Sequence, residues 1–369
     1  MWTRRQFLAR SGLGLLGTAG TCFALPGDWE GFDDPRDTIP DGSASKGMIT
    51  PRTDQAIEKG LSFLHKHQGP EGQFGTNAYR GNIAVTSLGA MAFMAAGHQP
   101  NRGTYGKAVT RAVEFVLSKE NVRRRFPGFL HNPEATPHGP MYGHGFGTLF
   151  LAEVSGMIHE KKLRERVHTT LKAAVKLILD AQNVDGGWRY EPDSRDADLS
   201  VTICQIMALR AARNAGIAVP KSTVDKCVEY VKACQQKPDG WFRYMKMGGG
   251  GGPERGFART AAGIVALYSA GIYKGPEIEM GLQYLVRSRP NPGPRPDMHY
   301  YYGHYYAVQA MWTAGGDYWK EWYPAIRDEL ISRQHVDGYW MDQICMHYAT
   351  AMACIILQIP NNYLPILQK

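Results

Sequence analysis

The chain has 369 residues, 43% of them apolar and 21% charged, which is ample for one large core or two and excludes a disordered or low-complexity chain. Forty-two Lys and Arg against 34 Asp and Glu leave a net charge of +8, a mild basicity compatible with an acidic ligand or an anionic membrane surface. The basic residues are dispersed and their one dense run, Arg123-Arg124-Arg125, is short, which argues against a nucleic-acid partner.

At the start of the chain, Thr3-Arg4-Arg5-Gln6-Phe7-Leu8 precedes a weakly apolar stretch from Ser11 to Leu25, the layout of a twin-arginine signal over residues 1–26. It predicts export and a periplasmic or cell-envelope protein, soluble or peripheral, because the stretch falls short of the roughly 20 residues of a membrane span. Residues 27–50, punctuated by Pro35, Pro40, Gly42 and Gly47, read as a linker. Everything from residue 51 to residue 369 reads as one domain. Five cysteines lie beyond the leader, an odd number without framework spacing, so no disulfide scaffold is expected. Cys227 and Cys234 are seven apart on a predicted helix, about 10 Å along its axis and too far to bridge.

From Thr53 onward the chain is self-similar. A Gln is followed by an acidic residue three on, a Gly four on and an aromatic six on at Gln68/Glu71/Gly72/Phe74, Gln182/Asp185/Gly186/Trp188, Gln236/Asp239/Gly240/Phe242 and Gln334/Asp337/Gly338/Trp340. The Gln-to-Gln spacings of 114, 54 and 98 leave room for two degenerate copies, which the helices Ala108 to Lys119 and Glu279 to Ser288 supply. Each unit reads as an amphipathic helix, the turn, a variable loop, and a second helix rich in Ala, Gly and Met, as in Val85 to Ala96, Val201 to Ala212, Arg259 to Ala270 and Ala349 to Ile356. The second helices are apolar nearly all round and must be buried on most sides. Six such pairs suit a closed double ring better than an open superhelix with polar caps.

Lys59-Gly60-Leu61-Ser62-Phe63-Leu64 leading to Gln68, and the helix Ala173 to Leu179 leading to Gln182-Asn183-Val184-Asp185-Gly186-Gly187-Trp188, resemble the glutamine-tryptophan repeats of squalene-hopene cyclases and the hairpins of protein prenyltransferase β subunits. The resemblance covers nearly the whole domain. It implies an all-α fold, an α6/α6 toroid with the first helix of each pair outside, the turn aromatic stacked between outer helices, and the Gln tying helix ends together. Phe at two turns keeps the packing but drops the indole donor.

In such a ring the inner helices run parallel, and their N-termini gather at one mouth that favours negative charge. Asp196-Ala197-Asp198-Leu199-Ser200 sits there and resembles the cyclase acid motif Asp-x-Asp-Asp-Thr, with Asp196 matching the first acid and Asp198 the proton donor. Leu199 and Ser200 depart from it, and the acids serve equally as helix caps. Tyr142-Gly143-His144 and Tyr302-Gly303-His304 open inner helices three units apart, and His347-Tyr348 lies at a nearby position in the sixth unit. These predict a mouth lined by phenols and imidazoles, unless each His packs locally. Arg255 and Arg259 follow the glycine run 248–252, read as a rim loop, and are placed to meet an anion. Asp342, Cys345 and His347 are acceptable zinc ligands by type, but prenyltransferase zinc ligands are split between repeats and spaced differently, so no metal and no cofactor is expected. The Gly run lacks the Lys-Ser/Thr of a P-loop, and neither a Gly-x-Ser-x-Gly elbow nor His-Glu-x-x-His occurs.

Three functions follow. The first is a terpenoid-cyclase-like toroid binding an isoprenoid-like or partly apolar ligand at its mouth, with or without acid-catalysed isomerase chemistry at Asp198. The second is a carbohydrate-active hydrolase or lyase on the same barrel, and the third a non-enzymatic envelope scaffold.

Overall fold

The computed structural model describes residues 43–120, 125–135, 137–247, 252, 256–290 and 299–368. The expected signal and most of the expected linker lie outside them, as does Arg255. Contacts group residues 39–369 into one body. Its first described residues, at the end of the span read as linker, are held on a late helix: Trp319 Nε1 donates to Ala44 O and Arg327 Nη1 to Met48 O.

Twelve α-helices and no sheet form among the described residues. In chain order they are α1 Pro51–Lys66, α2 Ile83–Ala95, α3 Gly106–Ser118, α4 Pro140–Ser155, α5 Lys161–Asp180, α6 Leu199–Asn214, α7 Lys221–Cys234, α8 Phe257–Ser269, α9 Pro276–Val286, α10 Tyr300–Ala314, α11 Gly316–Arg333 and α12 Met346–Gln358. Each even-numbered helix packs on the even-numbered helices to either side, and α12 returns to α2. The inner ring is therefore closed, and the fold is the expected α6/α6 toroid. None of these helices is long and apolar enough to cross a membrane.

The two layers follow from the sequence. The outer helix α3 buries a stripe at Ala108, Val109, Ala112, Val113 and Val116, the helical spacing of one apolar face. The inner helix α2 buries every residue except Ala84. Small residues let inner helices and turn aromatics close up: a Cβ on Gly89 would stand 2.6 Å from the Phe74 ring, and one on Gly145 of α4 would stand 2.8 Å from Cys204 of α6. All five described cysteines are free and buried.

Four turns from outer to inner helix use the same hydrogen bonds. The Nε2 of Gln68 donates to Gly72 O and to Ala108 O at the start of α3; Gln182 reaches Gly186 O and Thr223 O on α7; Gln334 reaches Gly338 O and Ala56 O on α1. In the turn after α7 the sequence pattern selects Gln236, and the structure uses Gln235 instead. Gln235 Nε2 donates to Gly240 O and to Glu277 O on α9, whereas Gln236 donates only its backbone N–H, to Trp241 O. That turn carries one more residue between carboxamide and glycine, so counting back from Gly240 misses by one. The glycine is required. Gly186 has φ +92°, and a Cβ there would lie 2.3 Å from Lys226 O. The aromatic N–H of each turn is stapled to an inner-helix threonine hydroxyl, Phe74 to Thr86, Trp188 to Thr202, Phe242 to Thr260 and Trp340 to Thr350. Where the aromatic is Trp, its indole also donates to the outer helix, to Ile178 O or Leu330 O.

At the opposite end the C-terminal segment docks against the barrel. Trp312 Nε1 donates to Leu367 O, and Ile366 N–H donates to Glu153, a buried carboxyl that burial pushes up to about 8.

Gln235→Ala is expected to cost about 1–3 kcal/mol, since it leaves the Gly240 and Glu277 carbonyls without their carboxamide donor, while Gln236→Ala stays within about 0.5 kcal/mol. Urea unfolding of both variants checks the assignment.

Candidate functional site

The staple positions set the register of the mouth. Two residues before each of Thr86, His144, Thr202, Thr260, His304 and Thr350 stand Ala84, Tyr142, Ser200, Ala258, Tyr302 and Tyr348. Five of these six are part-exposed in helices that are otherwise almost wholly buried, so they form the lower tier of the opening. The tyrosines of the two matched tripeptides meet at one residue: Tyr142 OH bonds Ser200 Oγ at 2.6 Å, and Tyr302 OH donates to Ser200 O at 3.0 Å. Two residues after the turn aromatics stand Tyr190, Tyr244 and Asp342, in a second tier. The carbonyls of Tyr190 and Tyr244 accept the first free N–H groups of α4 and α6, from Met141 and Leu199, which fixes both tyrosines over the helix starts.

Beneath these tiers the barrel axis is filled. Phe146 of α4 and Tyr305 of α10, on opposite sides of the ring, have centroids 6.2 Å apart; Cys204 Sγ of α6 lies 3.6 Å from Tyr306 OH of α10; Tyr302 and Tyr305 both pack edge-on to Tyr306. All are buried except part-exposed Tyr302.

Asp198 is fully buried at the N-cap of α6. Its Oδ1 accepts Val201 N–H at 2.9 Å and Ser200 Oγ–H at 2.5 Å; Oδ2 has no hydrogen-bond partner, and Arg189 Nε stands 3.8 Å away. Burial raises its pKa, opposed by the Ser200 hydroxyl, the Val201 amide and Arg189. Capping and acid–base readings are thus compatible: Asn82 caps α2 identically, but an amide carries no such titration. Exposed Asp196 lies 3.6 Å from Arg189. The Arg189 guanidinium lies over the Tyr190 and Tyr244 rings at 4.7 and 5.5 Å, and those phenols hydrogen-bond each other. Its hydrogen bond runs to Met245 Sδ, while both carboxylates stand beyond hydrogen-bond reach.

Across the mouth, exposed His138 lies tilted against Tyr79, with centroids 5.7 Å apart. Burial lowers the pKa of His299; Asp342 opposes that and His138 adds to it. Burial likewise raises the Asp342 carboxyl, against the pull of Ile344 N–H and His299. Two carboxyls with raised pKa values, Asp198 and Asp342, thus belong to units three apart. The sequence did not single out Arg189, Tyr190, Tyr244, His138, His299 or Tyr79, which lie near Asp198 or Asp342. Register counting from the turn aromatics was the available signal for Tyr190, Tyr244 and Asp342; none marked His138 or His299, which come together only through ring closure.

The imidazoles expected at the mouth sit between the helix layers instead. His144 occupies the staple position of its unit: Leu130 N–H donates to Nδ1 and Nε2 donates to Ala174 O on α5, which fixes a neutral tautomer. His304 holds the equivalent place, packed on Tyr300 and Phe257. His347 is buried among Phe63, His67 and Phe74, turned toward α1 and apart from Asp342. Among the described residues no group of three or more His, Cys, Asp or Glu is arranged to hold a metal. Arg259 is buried, donates to Gly252 O and lies over Trp241; the rest of the glycine run read as a rim loop lies outside the described residues.

The comparisons with solved structures show a likeness of fold. A type II terpene cyclase from Scytonema, solved with geranylgeranyl dihydroxybenzoate, matches with TM-score 0.58 at 12% identity over 85% of this chain and 98% of its own. Cellobiose 2-epimerase from Bacillus thermoamylovorans matches with TM-score 0.59 at 12% identity over 84% and 99%. An α-1,6-mannanase from Salegentibacter, solved with mannotriose, matches with TM-score 0.57 at 7% identity over 84% and 99%. No protein-family model matches the chain, and no curated protein sequence matches it significantly.

Burial lowers His144 and His304 to about 3 and His347 to about 4. A histidine whose folded pKa is depressed stabilises the fold above its unfolded pKa of about 6.5, and that stability drains as the pH falls toward the folded value. Each of the three is expected to cost about 1.4 kcal/mol per pH unit between about pH 6 and 4. His144→Gln should remove one of the three protons from that slope, whatever its effect at neutral pH; denaturant unfolding across the range checks it.

Proposed function

We propose that the toroid binds a saccharide in the cup at its mouth and acts on it by proton transfer. The observation that carries this is the filled axis under a polar aromatic tier: Phe146 and Tyr305 meeting across the ring leave no deep apolar channel for a long isoprenoid. The cup suits a polyhydroxylated ring instead. Tyr79, Tyr142, Tyr190 and Tyr244 offer faces and hydroxyls, and Arg189 presents donors beside the exposed Asp196 carboxylate, 3.6 Å away, the arrangement that takes a vicinal diol. Asp198 and Asp342 supply carboxyls with raised pKa values and His299 an imidazole with a lowered one, suited to taking and giving protons. The likeness to an epimerase acting on cellobiose and to a mannanase solved with mannotriose supports the choice of ligand.

A second reading, an isoprenoid held at its polar head, draws support from phenol faces fit to steady a cation and from the likeness to the terpene cyclase. Thermal unfolding with cellobiose, mannotriose and geranylgeranyl dihydroxybenzoate separates the two. A saccharide at 100 times its Kd is expected to add about 2.7 kcal/mol, and Arg189→Ala to abolish the gain. Stabilisation by the geranylgeranyl compound alone contradicts the saccharide reading, and so does no gain with either sugar.

A further inference from the structure

Asp198 is wholly buried, so a ligand in the cup does not touch it. A hydrogen-bonded chain links it to the lower tier of the mouth. When Asp198 is a carboxylate it can only accept, so Ser200 Oγ gives its one proton to Oδ1 at 2.5 Å and Tyr142 is the donor in the 2.6 Å contact. In that state the protons point inward, Tyr142 to Ser200 to Asp198, and the outer member, Tyr142, is a part-exposed residue of the lower tier.

We propose that Tyr142 is the group that exchanges a proton with the ligand, and that Ser200 passes that proton to and from Asp198. The proposal rests on the acid–base reading of the cup. The step balances without any co-reactant: a ligand hydroxyl gives its proton to Tyr142 Oη as the Tyr142 O–H bond breaks; that proton bonds to Ser200 Oγ, whose own proton passes to Asp198 Oδ1. The ligand is left as an alkoxide and Asp198 as a carboxylic acid, and the reverse passage reprotonates the ligand. Tyr302 OH, by holding Ser200 O, fixes the backbone of the middle member, which makes Tyr302 a positioning residue.

The groups facing Asp198 leave the chain a clear field. Arg189 from the preceding turn, with Asp196 behind it, is the neighbouring cation. Tyr142 of α4, Tyr302 of α10, Tyr230 and Cys234 of α7, Cys204 of α6 and Tyr244 all have pKa values raised by burial and stay neutral.

The test needs no ligand. With 13Cζ-tyrosine and 13Cγ-aspartate labels, the Tyr142 resonance, assigned by its loss in Tyr142→Phe, is followed by NMR as Asp198 titrates. The Tyr142 signal is expected to step at the same pH as the Asp198 carboxyl. The step should vanish in Ser200→Ala and in Asp198→Asn, and persist in Ser200→Thr, which restores the hydroxyl. Asp198→Asn keeps the cap that Asn82 makes on α2, so the fold is retained, and far-UV circular dichroism with the unfolding midpoint verifies it for every variant. Absence of the step in the unaltered protein, or its survival in Ser200→Ala, overturns the relay. If the step behaves as expected while no saccharide binds, the cup assignment fails and the relay stands; if saccharides bind without it, only the relay fails.

Discussion

The clasp from the end of one outer helix to the start of the next is the interaction on which the rest depends. A single carboxamide donates both protons, one closing its own turn and one reaching the neighbouring helix, and Gln334 on Ala56 O joins the sixth hairpin to the first. Each such bond contributes only about 0.5–1.5 kcal/mol net, and its larger effect is geometric. Closure sets every inner helix parallel with its N-terminus at the same end, which alone brings residues as distant in sequence as Tyr142, Ser200 and Tyr302 to one point.

Ring closure also decides what the barrel can hold. Six inner helices rich in small residues approach closely, and the aromatic side chains that point inward then fill the axis instead of lining a cavity. The chemistry is displaced to the rim, where turn residues are exposed and helix starts present free amides. Asp198 stands between the two regimes, satisfying an amide as a cap does while keeping one oxygen without a hydrogen bond beside Arg189. The phenols that surround it are what make its burial consequential, because they connect it to solvent through hydroxyls that can carry a proton.

The layered helices, their number and the closed ring were legible in the sequence because they follow from local signals: apolar stripes, all-round apolar helices and a turn signature at regular spacing. The Gln235 clasp was not, since an extra residue in that turn preserves the Gln-to-Gly count for the wrong glutamine. The histidines misled for a different reason. His144 recurs at a fixed helix position, but recurrence reports the staple geometry that Thr86 and Thr202 also serve, and a residue type alone does not reveal which face of the helix it occupies. Tyr142 and Tyr302, two residues earlier in the same tripeptides, face the cup, as two residues change the helical face. His138, His299 and Tyr79 carry no local signal at all; only tertiary closure assembles them.

The central claim is that side chains meet across the ring axis, which confines any ligand to the mouth. A double-mutant cycle between Phe146 and Tyr305, each replaced by Leu and measured by equilibrium unfolding, tests this most directly. The account predicts a coupling of about 0.5–1.5 kcal/mol for two rings in edge contact. Additive effects, with coupling below about 0.3 kcal/mol, would contradict it and reopen the axis to a ligand.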